Sequence, residues 1–254
     1  MARFRAAGAR GSVRLADHFS ATGDVLFRWR SYLPLVLVPL FLVSFIGLGY
    51  PFGSHVAGLV WESGCFVVAA IGLAIRLVTV GTAPRGTSGR NTRHQKAAVL
   101  NTTGPYSVVR HPLYLANYLI VLGLSLFSRT WYLPLIVSLA TLLYYERIAA
   151  REEAFLEERF GEEFRGWAAR VPALVPRLSG YVPSARPLDW RRTLGREFYA
   201  VGELTTAFFV ADVLEDFAAT GEIEFDPVWT TVFVAGALFF LVMWTLKKTG
   251  RLRV

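Results

Sequence analysis

Two stretches of nineteen residues, Tyr32–Tyr50 and Val228–Leu246, contain no Asp, Glu, Lys or Arg. Coiled as an α-helix at about 1.5 Å per residue, each reaches roughly 28 Å, close to the thickness of a bilayer's hydrocarbon core. Inside lipid every backbone N–H and C=O must be satisfied within the protein, so uncharged runs of this length fold as spanning helices. Four further apolar runs accompany them. Val56–Val80 is interrupted by Glu62 and Arg76; Leu113–Phe127 and Trp131–Tyr145 are separated by Ser128, Arg129 and Thr130; Phe198–Phe217 carries Glu203, Asp212, Glu215 and Asp216. The connection of three residues predicts an antiparallel helical hairpin. Composition agrees, because 54% of the residues are hydrophobic and the mean hydropathy is +0.41, above the roughly 45–50% apolar content of soluble domains. The fold class expected is all-α: a polytopic membrane helix bundle of about six spans.

The excess of eight positive charges falls in blocks between the apolar runs. Without aromatic residues interleaved along a basic groove, this pattern predicts loops facing anionic lipid headgroups and no nucleic-acid partner. With six spans, the amino-terminal arm, the 81–110 loop, the 146–197 segment and the tail KKTGRLR fall on one side, and Glu215, Asp216, Glu222, Glu224 and Asp226 on the other. The positive-inside rule then puts both termini in the cytoplasm. Three parts are expected: a basic interfacial arm (1–30), a core including the cytosolic segment 146–197 (31–197), and a carboxy-terminal pair of membrane helices (198–254). Glu62 and Arg76, about 21 Å apart on a helix, read as snorkelling side chains near opposite ends of the second span.

Catalytic candidates concentrate in two stretches. In NTTGPYSVVRHPLYLANY (101–118), Pro112 suits the first position of a helix and places Arg110 and His111 at headgroup level. A helix amino terminus favours a carboxylate or phosphate, and His111, Tyr114 and Tyr118 share one face. Taken alone, the stretch also reads as an interfacial belt of anchoring residues. The second stretch, YERIAAREEAFLEERFGEEFRGWAARVP (145–172), interleaves glutamates with arginines and reads by itself as a solvated helix face broken at Gly161. His18, His55, His94 and His111 are scattered and the one cysteine, Cys65, is alone in an apolar run, so neither a metal constellation nor an internal disulfide is expected. Ser107 lies four residues before His111, but no acid or oxyanion signature accompanies them, which excludes a serine hydrolase.

Together the two stretches resemble the isoprenylcysteine carboxyl methyltransferase and phospholipid methyltransferase superfamily of membrane enzymes. The resemblance rests on Gly104, Tyr106, Arg110, His111, Pro112 and Tyr114 in GPYSVVRHPLY, on Glu152 and Glu153, on FGEEF at 160–164, and on Val171 and Pro172, in that order across residues 95–178. It implies a cytosolic site for S-adenosylmethionine, with Tyr106, His111, Pro112, Tyr114, Glu152 and Glu153 around the cofactor and the two glutamates near its positive charge. It also implies a catalytic arginine close to Glu152. Arg147 is the first candidate, although its offset is five residues where four is expected, so that Arg151 or Arg110 can fill the role. Ala116 departs from the glycine frequent in the family, and its methyl group is expected to narrow the approach of cofactor or lipid.

Methyl transfer from a sulfonium is an in-line displacement, to which a protein contributes mainly alignment. An ionised carboxylate or phosphate acceptor, the favoured case, needs an arginine to orient it. An amine or hydroxyl needs a base, for which Glu152 or His111 is available. The function expected is S-adenosylmethionine-dependent methylation of a lipid or lipidated acceptor at the cytoplasmic face. Two alternatives stand beside it: an NADPH-dependent membrane reductase similar to sterol reductases, and a non-catalytic carrier or scaffold with Glu62, Arg76, Glu203 and Asp212 along a polar path. The identity of the acceptor, O- against N-methylation and the oligomeric state are left open by the sequence.

Overall fold

The computed structural model of the protein describes residues 36–84 and 97–252. The basic arm at 1–30 and the middle of the 81–110 loop lie outside the described residues. Among the described residues seven α-helices follow one another: α1 (Val38–Val43), α2 (His55–Thr82), α3 (Pro112–Phe127), α4 (Tyr132–Phe160), α5 (Glu162–Ala168), α6 (Trp190–Thr220) and α7 (Pro227–Lys248). Among the described residues there is no strand, and the expected all-α bundle is what the chain forms. By length and composition α2, α4 and α7 can each cross a membrane, and α3 is a shorter apolar helix.

The first apolar run differs from a plain span. Its described part forms the six-residue α1 and then tightens into turns whose bonds run three residues back, such as Phe45 N–H to the Leu42 carbonyl and Ile46 N–H to that of Val43. Gly47 adopts positive φ within the run, so the helix expected to continue to Tyr50 ends early, and Pro51 begins a short 3₁₀ turn after it. Conversely, α4 is longer than the apolar run that predicts it. It continues through the charged stretch as one helix of 29 residues and stops at Gly161, whose φ of 53° and ψ of −120° cannot extend it.

Helices α2 and α3 approach closely because small residues face each other. A Cβ at Gly72 would lie 2.5 Å from the Ala116 carbonyl oxygen, and one at Gly123 would lie 2.6 Å from that of Cys65. Membrane helices, which gain little hydrophobic free energy from pairing in lipid, associate through this kind of backbone proximity. Ala116 is fully buried at this seam, so its methyl group belongs to helix packing and not to the approach of a ligand. Helices α6 and α7 form a second hairpin, with Gly236 of α7 set against the Thr205 side chain of α6.

Polar contacts inside the bundle join the two hairpins at both ends. Arg76 of α2 pairs with Glu197 of α6 at 2.8 Å and donates to the Asn117 side chain of α3. At the opposite end Glu62 accepts from Trp229 Nε1 at 2.6 Å, Glu215 receives Arg129 at 2.6 Å, and Tyr50 donates to Asp216 at 2.7 Å. Both Glu62 and Arg76 therefore have fixed partners on α6 or α7 and do not snorkel. A polar path linking them is not what these contacts form, since Glu203 is exposed and the two clusters sit at opposite ends of α2.

Helix α6 runs between those ends. Its first turn donates from Arg192 to the Ala83 carbonyl at the end of α2, and its last turns carry Glu215 and Asp216. The tail returns to the first of these ends, where Lys247 donates to the Gly195 carbonyl and Arg191 to that of Arg251.

Candidate functional site

The site end is assembled from the 97–111 segment, the charged half of α4, α5 and the loop that follows. Leu100 packs with Phe164, Trp167 and Val171, and Trp167 Nε1 donates to the Tyr106 carbonyl at 3.1 Å. The loop after α5 runs alongside as a strap: Arg110 N–H donates to the Pro172 carbonyl, Arg177 N–H to that of Val108 and Gly104 N–H to that of Val182, each at 2.9 Å. Ser107 Oγ donates to the Gly104 carbonyl at 2.7 Å and accepts from Val182 N–H at 2.8 Å. This hydroxyl is thus a buried structural link, as its lack of an acid partner in sequence implies.

The strap fixes the entry of α3. Pro112 occupies the first helical position and His111 is the cap residue, with φ −122° and ψ 65°. Instead of capping the helix, the His111 ring points to α4, where Nε2 lies 2.9 Å from Glu153 Oε1 and Nδ1 lies 3.5 Å from Glu152 Oε2. Adjacent helical residues diverge by about 100°, which lets the two carboxylates reach the two ring nitrogens of one imidazole. Arg110 Nε lies 2.9 Å from the same Glu153 oxygen, and its Nη1 donates to the Ala168 carbonyl at the end of α5. Burial works against a charged imidazole, but the hydrogen bonds and charges of Glu152 and Glu153 outweigh it and raise the His111 pKa. Burial, and then the Glu152 charge, push the Tyr106 phenol upward as well, against a lowering contribution from Asn101.

Beyond this cluster the aromatic rings form a stack. The His111 and Tyr114 centroids are 5.2 Å apart with planes 14° from parallel, and Tyr114 and Tyr145 are 4.6 Å apart with planes at 8°. The tyrosines open onto a cavity of about 370 Å³ between α3 and α4. Leu115, Tyr118, Ser138, Leu139, Thr141 and Leu142 line it with Leu174–Pro176 of the strap, and no charged residue does.

Among the candidates from sequence, the structure brings Arg110, His111, Tyr114, Glu152 and Glu153 together and holds Tyr106 nearby. Arg147 is placed differently, with its Nη1 donating to the Leu143 carbonyl one turn back on its own helix at 2.8 Å. Arg110 is in contact with Glu153 of the acidic pair. Tyr145 joins these residues, and the sequence carries a signal for it: it precedes Glu152 by seven residues, two helical turns, and so shares its face. The Leu174–Pro176 contribution left no such trace, because a loop's return path has no periodicity. Among the described residues no group of three or more His, Cys, Asp or Glu side chains is arranged to hold a metal ion.

Fold and site define a polytopic helical membrane protein with a polar cluster at the mouth of an apolar cavity. Residues 66–163 match the phospholipid methyltransferase family model, and residues of this chain are 29% identical over 84 positions to the protein-S-isoprenylcysteine O-methyltransferase of Schizosaccharomyces pombe, covering 33% of this chain and 36% of that protein. The central region of the chain is thus similar to the phospholipid methyltransferase family, and more weakly to an isoprenylcysteine methyltransferase.

It is also 35% identical over 142 residues to the cobalt-zinc-cadmium resistance protein CzcN of Cupriavidus metallidurans, covering 55% of this chain and 62% of that one. To the nickel-cobalt-cadmium resistance protein NccN of Alcaligenes xylosoxydans xylosoxydans it is 34% identical over 119 residues, covering 47% and 55%. The chain thus spans less than two thirds of each of these three relatives. No solved structure matches it.

Proposed function

We propose that the protein transfers a methyl group from S-adenosylmethionine to a lipid or lipidated acceptor, at the cytoplasmic face of the membrane. The observation that carries this reading is the meeting of a two-carboxylate cluster with the mouth of an uncharged cavity, across the His111–Tyr114–Tyr145 stack. The residues present fit the cofactor: Glu152 and Glu153 are partly exposed, with 30% and 24% of their side chains accessible, and offer negative charge to a sulfonium. Tyrosine ring faces at their side attract cations as well.

S-adenosylmethionine supplies a methyl group on positively charged sulfur, a leaving group that needs no protonation. What the chain does is align and desolvate. Glu152 and Glu153 hold the positive end of the donor, and His111, wedged between them, sets their separation. Arg110 orients an anionic acceptor, a carboxylate or phosphate that is already ionised and needs no base. The uncharged cavity holds the acceptor's apolar portion, so that its reactive head emerges at the tyrosine stack. Holding both partners at contact distance supplies the entropic part of the rate acceleration.

The test is calorimetric titration of the purified protein in lipid nanodiscs with S-adenosylhomocysteine, joined to mass spectrometry of membrane lipids from cells with the active or the Glu152→Gln protein. Saturable binding and a lipid heavier by one methylene only with the active protein support the reading. A folded sample that binds no S-adenosylhomocysteine overturns it.

A further inference from the structure

Along the α3–α4 seam the lining of the apolar cavity stops at one hydrogen-bonded pair, Tyr118 and Ser138, and that pair bears on specificity. On α3 its lining starts at Tyr114 and ends at Tyr118; on α4 it starts at Tyr145 and ends at Ser138. At that deep end Tyr118 Oη and Ser138 Oγ are 3.0 Å apart, and Ser138 Oγ donates at 2.6 Å to the Pro134 carbonyl. With its own hydrogen committed to Pro134, Ser138 accepts from Tyr118, and the phenol is held across the gap between the two helices. No residue deeper than this bar on either helix lines the cavity.

From Tyr145 to Ser138 the wall runs seven residues along α4, about 10 Å at 1.5 Å per residue, the reach of roughly eight extended methylenes. Polar hydroxyls crossing an otherwise apolar passage oppose a longer chain twice. The tyrosine ring obstructs it, and displacing the ring would leave a hydroxyl unpaired in a water-poor setting.

We infer that the Tyr118–Ser138 hydrogen bond is the floor of the acceptor-chain cavity, and that these two residues set how long an apolar chain the site accepts. The inference rests on the acceptor reading above and adds the specificity-determining pair. Within the cavity each added methylene gains contacts with the lining, so binding strengthens with chain length. Past the floor, further methylenes gain nothing from the site.

The test measures binding directly. A series of saturated fatty acids from six to sixteen carbons competes with a fluorescent fatty-acid probe for the protein in nanodiscs, with partition into empty nanodiscs subtracted. Affinity is expected to rise to about eight to ten carbons and then level off. Tyr118→Ala should move the break to longer chains, and Ser138→Leu, which fills the floor, should move it to shorter ones. A wild-type profile without a break, a break that stays in place in both variants, or no competition at any length overturns the inference. S-adenosylhomocysteine binding, measured on the same samples, separates its failure from that of the methyltransferase reading. If the donor analogue binds and the chains do not, the floor alone is refuted.

Discussion

His111 Nε2 lies 2.9 Å from Glu153 Oε1, joining the cap of α3 to a residue forty-two positions further along the chain. The contact matters because each partner is anchored independently: His111 by Pro112 and the strap at Pro172, Glu153 by nearly six turns of α4 before it. A single imidazole therefore fixes the gap between two structural units. Replacing it with alanine leaves Glu152 and Glu153 side by side with their main spacer gone. His111→Ala is expected to lower melting stability by about 1.5–3 kcal/mol, the worth of a charged hydrogen bond. It should weaken S-adenosylhomocysteine binding at least tenfold by calorimetry, an order-of-magnitude expectation for losing one such contact. His111→Gln, whose amide can still donate to Glu153, should recover part of both.

The same histidine makes stability depend on pH with a defined sign. Its pKa is raised in the folded protein above the ordinary value of 6.5. The folded state thus binds more proton than the unfolded chain in the window above that value. Stability from this group is complete below about pH 6.5 and is lost as pH rises through the folded pKa. Melting temperatures between pH 6 and 9 should fall more steeply for the wild type than for His111→Gln. Equal slopes would show that the imidazole is not the group responsible.

How much of this was legible in the sequence varies with the kind of information needed. Apolar length predicted α2, α3, α7 and the first half of α4, though not the early end of α1, and the glycine at 161 predicted the break after α4, because hydration and backbone conformation are local. The charged stretch of α4 read as a solvated face for the same reason: its composition is local, whereas the imidazole that divides its carboxylates comes from another helix. Glu62 and Arg76 were misjudged because sequence gives a residue's depth in the membrane but not its neighbours. Snorkelling is the sensible default for an intramembrane charge until a partner such as Glu197, 121 positions away from Arg76, is seen beside it. Ala116 reads as a ligand-side residue because it departs from the glycine frequent in the family, but residues two positions apart on a helix point in very different directions. Tyr114 lines the cavity, whereas Ala116 is fully buried where its backbone carbonyl meets Gly72.

The α2–α3 seam gives a prediction about packing alone. An alanine at Gly72 would place Cβ 2.5 Å from a backbone oxygen, which cannot rotate away, so the helices must separate. Gly72→Ala should cost about 1–3 kcal/mol, as overpacked interiors do. Gly64, on the same helix with nothing within 4 Å of its would-be Cβ, is the control. There the same change should be neutral or stabilising by about 0.5–1 kcal/mol, through helix propensity. Thermal unfolding of the two variants, side by side, checks it, and equal effects would refute the close approach of α2 and α3.

The Arg76–Glu197 pair links the matched 66–163 region to a helix outside it. If α6 were only an appendage, removing Glu197 would leave the rest undisturbed. The geometry predicts otherwise: with 19% and 5% of their side chains exposed, each charge depends on the other for compensation, and Arg76 also holds Asn117 next to the cavity residue Tyr118. Arg76→Leu and Glu197→Leu should each cost about 3–5 kcal/mol, since each strands a buried charge. The double variant strands none and should be more stable than either single one. A double-mutant cycle on unfolding in mild detergent measures the difference, and additive losses would show that the two charges are not coupled. Because Asn117 moves with Arg76, the single Glu197→Leu variant should also disturb chain binding in the α3–α4 cavity, although Glu197 does not line it. That outcome would make the carboxy-terminal hairpin part of the site's scaffold.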